Sequence, residues 1–317
     1  MKPKILITRP LPERVLEKVC AAFDVTLRSS TLPMSDKELV ASLRDYDGVL
    51  PTLGDVYDQT IFALVPKPRA QILANFGVGY NHINVAAAKE VGISVSNTPG
   101  AVTDSTADIA MNLILSTARR TAEGERMLRA GDWKGWHPTQ MLGHPVTGAS
   151  VGIIGMGRIG KAIARRCHLG FGMTVLFHNR SQVPDVGVPA RQVSLAEAMA
   201  ADFVVVAVPG GGSNAHLINA SALSAMKSSG IFINIARGDV VDEQALISVL
   251  IQGKIAGAGL DVYEKEPQVP EALVQLENVT LFPHLGTAVL AVREAMGMMA
   301  FDNLVAHFEQ KTPPNLV

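Results

Sequence analysis

"SVGIIGMGRIGKAIARRC", residues 150–167, decides the fold. An apolar run of strand character meets three glycines in the pattern G-x-G-x-x-G, at Gly155, Gly157 and Gly160, and passes into a stretch of helical period. With 28 glycines in 317 residues this pattern would arise by chance about 0.2 times per chain, so its position has to carry the argument. Between a strand and a helix each glycine has a physical use. Gly155 allows the tight turn, Gly157 lets the backbone approach a pyrophosphate, and Gly160 permits close packing of helix on strand. The helix N-terminus at Arg158 and Ile159 adds unpaired N–H groups and a partial positive charge. The stretch therefore reads as the first βα unit of a parallel sheet that binds a dinucleotide.

Further apolar runs follow at "MTVLFHN" (173–179), "DFVVVAV" (202–208), "GIFINIA" (230–236), "AGAGLDV" (256–262) and "NVTLFP" (278–283). Near-continuous apolarity suits strands covered by helices on both faces. Upstream, "KILIT" (4–8), "DVTLR" (24–28), "GVLP" (48–51), "QILANF" (71–76) and "ISVSN" (93–97) read as a smaller sheet of the same kind, with a helix over 12–22. Residues 103–131 open with cap-type residues and keep helical spacing, which predicts one long linking helix. A last helix is expected over 287–310, in position to return to the first sheet. The fold class is α/β, two Rossmann-like domains with parallel sheets.

The stretch "VLFHNRSQ" (175–182) ends the second strand of the glycine unit, where an acidic residue would normally accept from the adenosine ribose. Asn179 removes a carboxylate that would repel a 2'-phosphate, Arg180 offers a planar, permanently charged fork, and Ser181 adds a short donor. NADPH or NADP is the expected cofactor, with NADH a weaker alternative.

A formal net charge of -1, from 28 basic and 29 acidic residues, gives no overall field to gather nucleic acid or an anionic membrane. No apolar run approaches the roughly 20 residues of a membrane span, and the stretch before Arg9 and Pro10 is too short for a signal peptide. Two cysteines, Cys20 and Cys167, show no CxxC pattern. No disulfide framework or metal site is indicated, and a reducing cytoplasm is expected.

In open parallel sheets ligands bind at the carboxyl ends of the strands. Three polar side chains fall there: Arg237 in "INIARGDVVD", Glu266 in "GLDVYEKEP" and His284 in "LFPHLG". Together they suit reduction of a carbonyl beside a carboxylate. A guanidinium holds the carboxylate and polarises the carbonyl, an imidazolium gives the proton, and a carboxylate beside the ring favours its charged form.

"GIIGMGRIG", "FINIARGDVVDEQALI", "GAGLDVYEKEP" and "PHLGT", with the upstream "NFGVGYNHINVAAAKEVGISVSNTPG", resemble the D-isomer-specific 2-hydroxyacid dehydrogenase family in order and spacing over essentially the whole chain. The resemblance implies a flavodoxin-like substrate domain made of 1–99 and 288–317, with an NAD(P)-binding Rossmann domain, 100–287, inserted into it. It implies Arg237 for substrate, His284 as acid/base and Glu266 as its partner. Leu53 and the backbone N–H groups of Val78 and Gly79 would meet the substrate. Asp261 would contact the nicotinamide amide, Val208 and Pro209 would flank the adenine, and Ile235 and Gly286 would also line the cofactor site. A homodimer through the nucleotide domains is implied as well, with the 103–131 segment, Trp133 and Trp136 as candidate contacts.

Within the family, "EPQVPEAL" and the NADP-type "NRS" look closest to glyoxylate/hydroxypyruvate reductases, so the partner is a small 2-oxo or 2-hydroxy acid, with D-products where chiral. Two features depart from that pattern. "PGGGSN" (209–214) replaces a leucine, threonine, proline series. In "GWHPTQML" (135–142), Gln140 stands where the mammalian reductases carry a substrate-capping tryptophan from the partner subunit. An aryl-pyruvate reductase and 3-phosphoglycerate dehydrogenase remain alternatives, although only about 30 residues follow the histidine motif, no room for an appended regulatory domain. A formate dehydrogenase would be expected to have glutamine at Glu266. A dinucleotide-sensing corepressor is the non-enzyme alternative; turnover or partner binding separates it.

Overall fold

A computed structural model describes residues 2–317. The chain forms two compact units, one comprising the chain up to Val102 together with Thr287–Val317, the other Thr103–Gly286. The parallel α/β architecture expected from the apolar runs is present in both.

In the first unit β1 (Lys4–Ile7), β2 (Asp24–Leu27), β3 (Gly48–Leu50), β4 (Ile72–Ala74) and β5 (Ser94–Ser96) pair in the order β2-β1-β3-β4-β5, all parallel. Successive side chains of a strand alternate between faces. Ile5 and Ile7 therefore pack with Val15, Val19, Phe23, Ala300 and Leu304, while Leu6 lies on the other face with Leu39, Leu43, Tyr57 and Phe62. The first of these cores needs the helix Leu290–Phe308. It comes so close to the helix Glu13–Ala22 that a Cβ at Gly297 would stand 2.6 Å from Val15 Cγ2.

The second unit contains β6 (Ser150–Ile154), β7 (Thr174–His178), β8 (Ala190–Gln192), β9 (Phe203–Val206), β10 (Ile231–Asn234), β11 (Gly257–Leu260) and β12 (Val279–Leu281). They run parallel in the order β12-β11-β10-β9-β6-β7-β8. The order reverses between β6 and β9, and such a switch point opens a ligand crevice at the carboxyl ends. Buried side chains cover both faces: Val151, Ile153, Val205 and Ile233 on one, Ile154, Val204, Val206 and Phe232 on the other. The short edge strand β8 escapes a search for apolar runs because its sequence is Ala-Arg-Gln.

The single helix expected over 103–131 is two helices, Thr103–Ala118 and Thr121–Ala130, broken at Arg120 with φ 54°. Residues 143 and 144 cause the break. His144 N donates to Ala118 O, and Gly143 lies so near that a Cβ would be 2.3 Å from the same oxygen. Arg120 Nη2 donates to Glu123 Oε1, 2.6 Å, across the first turn of the second helix, which buries no residue. Among the described residues no helix is long and apolar enough to cross a membrane.

Candidate functional site

The glycine turn after β6 sits at the switch point. Gly155, at φ 101°, donates its N–H to His178 O, and a Cβ there would be 2.7 Å from both Ala207 O and Val208 Cγ1. At Gly160 a Cβ would stand 2.2 Å from Gly155 O, so the helix Arg158–Arg165 rests directly on the turn. Gly157 differs. It is exposed, a Cβ would meet nothing within 4 Å, and the N–H groups of Gly157, Arg158 and Ile159 donate to no group among the described residues. Open space faced by free helix N-terminal donors fits a dinucleotide's pyrophosphate.

The two loops beside this turn carry polar groups. Asn179 Oδ1 accepts from Met156 N at 3.1 Å, and its Nδ2 donates to Ser181 O at 2.9 Å and Ser181 Oγ at 3.1 Å. Asn179 thus ties the end of β7 to the glycine turn. Arg180 and Ser181 are exposed, and Arg180 Nη1 donates to Ser213 Oγ at 3.2 Å. Val208 is half-buried and Pro209 exposed at the end of β9.

At the ends of β10, β11 and β12 the remaining groups converge. Asn234, buried at the end of β10, shapes the turn that presents Arg237: its Oδ1 accepts from Ala236 N and its Nδ2 donates to Arg237 O, while Ile235 stays buried. Arg237 Nη1 donates to Ala236 O at 2.7 Å, whereas its buried Nε has no partner among the described residues. Burial lowers the guanidinium's pKa against the pull of Glu266, Asp239 and Asp261. An unpaired buried cationic donor is costly unless an anion or carbonyl meets it.

His284 Nδ1 lies 2.8 Å from Glu266 Oε2, and Glu266 Oε1 accepts from Tyr263 N at 3.0 Å. Burial pushes the Glu266 carboxyl up, but the bond and charge of His284, the Tyr263 amide and Arg237 outweigh it and hold the group below its ordinary value. His284 sits in the left-handed region, at φ 54°. Asp261, 1% exposed, fixes it there: its carbonyl accepts from His284 N, Oδ1 from Leu285 N at 2.6 Å and Oδ2 from Gly286 N at 2.9 Å. Burial raises the Asp261 carboxyl despite those amides and the charge of His284.

In the first unit the turn after β4 is pinned by its carbonyls. Asn75 Nδ2 donates to Gly77 O and Gly79 O, each at 3.0 Å, and Asn97 Nδ2 to Val78 O at 2.8 Å. The N–H groups of Val78 and Gly79 find no acceptor among the described residues. Leu53, 38% exposed, follows Thr52, whose N–H and hydroxyl donate to the fully buried Asp55.

Residues 111–286 match the family described as D-isomer specific 2-hydroxyacid dehydrogenase, NAD binding domain. The chain belongs to this family. The dehydrogenase is 42% identical to a glyoxylate reductase of Thermococcus onnurineus, over 100% of this chain and 96% of that one, and 42% identical to a glyoxylate reductase of Pyrococcus horikoshii with the same coverage. Among solved structures it is similar to the TT0316 protein of Thermus thermophilus, with TM-score 0.91, 38% identity and 99% of each chain covered. It is also similar to an NADPH-dependent glyoxylate/hydroxypyruvate reductase of Sinorhizobium meliloti crystallised with NADP and malonate, with TM-score 0.88, 37% identity, and 100% and 97% covered.

Several residues of this dehydrogenase's site were not singled out from its sequence. Asn234 is a polar residue inside an apolar run, and that was a readable signal. Tyr263, which donates its hydroxyl to Phe282 O at 2.8 Å and braces the β11 and β12 ends, follows Asp261 by two residues in "GLDVYEKEP". Asp239, whose Oδ2 accepts from Gly211 N at 2.6 Å, and Ser213 carry no sequence mark that ties them to their partners.

Proposed function

We propose that this protein reduces small 2-oxo acids, glyoxylate and hydroxypyruvate first, with NADPH, giving the D-hydroxy acid where a stereocentre forms. The observation that carries the reaction type is the hydrogen-bonded Glu266–His284 pair at the ends of β11 and β12, with the unpartnered Nε of Arg237 in the turn after the neighbouring β10. The substrate class rests on the relatives, which are named glyoxylate reductases at about this identity over the full chain.

The unit Thr103–Gly286 carries the cofactor in this reading, with the pyrophosphate on the amides after Gly155 and the 2'-phosphate on Arg180 and Ser181. When bound, the reduced nicotinamide supplies a hydride to the carbonyl carbon. Arg237 donates to the substrate's oxygens. His284 would give the proton on Nε2 to the carbonyl oxygen and keep Nδ1–H on Glu266. Glu266 fixes the ring through its contact with Nδ1. In the unit that contains β1 to β5, the N–H groups of Val78 and Gly79, which have no acceptor among the described residues, suit a carboxylate.

A homodimer through the Thr103–Gly286 unit is part of the proposal. Both tryptophans of the chain, Trp133 and Trp136, are exposed on the stretch after the second helix, 50% and 78%, together with Leu128 and Leu142. Large apolar side chains left in water along one segment suit an interface between copies of the chain. Light scattering should give twice the chain mass, and Trp136→Glu should shift it toward one. A cytoplasmic setting fits two unpaired thiols.

The deciding experiment is initial-rate kinetics with glyoxylate, hydroxypyruvate and a bulky aryl-pyruvate, each against NADPH and NADH. Preference for the small acids with NADPH is expected. No turnover with any pair, despite NADPH binding, would overturn the assignment.

A further inference from the structure

We infer that Ser213 is a ligand of the cofactor's 2'-phosphate, gripping it with Arg180 from the opposite side of the crevice; the inference rests on the NADPH reading above. Strands β7 and β9 flank β6, so their ends lie about 10 Å apart. Arg180, after β7, and Ser213, after β9, nonetheless meet at 3.2 Å. Their contact spans the end of β6, where the glycine turn begins.

The chemistry of the pair suits a phosphate rather than ribose hydroxyls. Arg180 donates to Ser213 Oγ, which leaves the serine proton for an acceptor. Two donors this close, one of them cationic, can grip neighbouring oxygens of one phosphate. Neither 179–183 nor 209–216 contains Asp or Glu, so neither loop brings a carboxylate to repel it.

The serine is also held in place. Gly211 N and His216 N donate to Asp239 Oδ2 and Asp239 O, and Asn214 Nδ2 donates to Pro209 O at 3.0 Å. The two left-handed glycines, Gly211 at φ 74° and Gly212 at φ 53°, let the loop turn tightly enough to bring Ser213 back toward Arg180. Two of the three consecutive glycines that depart from the family's usual series, Gly211 and Gly212, thus have a use.

The test is calorimetric titration of the intact protein and of Ser213→Ala, Ser213→Thr, Arg180→Ala and the double alanine variant with NADPH, NADH, 2',5'-ADP and 5'-AMP. Ser213→Ala should weaken NADPH and 2',5'-ADP by on the order of tenfold and leave NADH and 5'-AMP within about twofold. Ser213→Thr, which keeps the hydroxyl, should stay near the parent. The double variant should lose less than the product of the single losses, because the two side chains act on one group. Unchanged NADPH binding in Ser213→Ala, or equal losses with NADPH and NADH, would overturn the inference while an Arg180→Ala effect confined to NADPH left the cofactor reading standing. A parent protein that binds NADPH no better than NADH, with Arg180→Ala silent, would overturn both.

Discussion

Asp261→Asn tests whether His284, the acid proposed above, is held by the carboxylate beneath it. Asp261 accepts three successive amides, those of His284 on its carbonyl and those of Leu285 and Gly286 on its two carboxylate oxygens. Asparagine keeps the shape but offers one acceptor oxygen and one NH2 group. One of the two side-chain bonds must then be replaced by an N–H facing an N–H. A bond to a charged acceptor contributes about 1.5–3 kcal/mol, and a buried amide left without a partner costs about 1–3 kcal/mol. Burial already disfavours the charged form of Asp261, so losing the charge returns part of that sum. The net cost falls at about 2–4 kcal/mol, on a loop whose histidine occupies a left-handed conformation that most side chains avoid.

If that cost falls on the 284–286 loop, the competent geometry loses roughly 30-fold to several hundredfold in population. The kcat for glyoxylate with NADPH should therefore fall by on the order of 30-fold or more, while 2',5'-ADP, which touches only the adenosine end, binds as before. A kcat within about threefold of the parent would refute the reasoning, because it would leave His284 in place without the carboxylate. The nicotinamide contact implied by family resemblance gives a different signature: NADPH affinity would drop relative to 2',5'-ADP with no change in melting temperature.

Other expectations use the same geometry. His284→Ala should lower turnover by on the order of 100-fold or more with NADPH binding intact, and near-normal turnover would remove it from the mechanism. Gly160→Ala places a Cβ 2.2 Å from Gly155 O and should cost about 1–3 kcal/mol and weaken NADPH, whereas Gly170→Ala, with nothing within 4 Å, should melt close to the parent; equal melting of the two variants would count against the close packing. Because Glu266 is held below its ordinary value of 4.5, its contribution to stability is present above that pH and lost as pH falls through the depressed value. The melting-temperature gap between the parent and Glu266→Gln should then close on acidification, and a gap constant with pH would show that the ion pair contributes nothing. Cys20 is exposed, while burial pushes the Cys167 thiol up to about 12, so a thiol reagent near pH 8 should modify one cysteine in the folded protein and the second only on denaturation. Rapid modification of both would mean that the Cys167 core opens.

The carboxyl-end residues were legible because a parallel sheet puts every strand's exit on one edge. Once "GIFINIA", "AGAGLDV" and "NVTLFP" are strands, Arg237, Glu266 and His284 must emerge on the same side, and the observed order β12-β11-β10 makes those strands neighbours. The glycine unit was legible for a related reason. The packing of Gly160 is local, between the turn, its own strand and its own helix, whereas Gly155 is met by Ala207 and Val208 and donates its N–H to His178 O on the neighbouring strand. What the letters did not carry was side-chain chemistry across the sequence. Arg120 breaks a helix whose period runs on unbroken, because the cause lies at Gly143 and His144. Asn179 was read as the absence of a carboxylate, yet its carbonyl oxygen binds Met156 N and secures the turn. Asp261 could be tied to a ligand by resemblance, but its bonds to Leu285 and Gly286 exist only because β11 lies beside β12. The first is a bond between distant backbones and the other two are bonds in which a polar side chain holds a distant backbone, and each depends on the placement of neighbouring elements rather than on local pattern. A pattern therefore names the groups that the strand ends present, and the groups that hold them appear only when the strands are laid side by side.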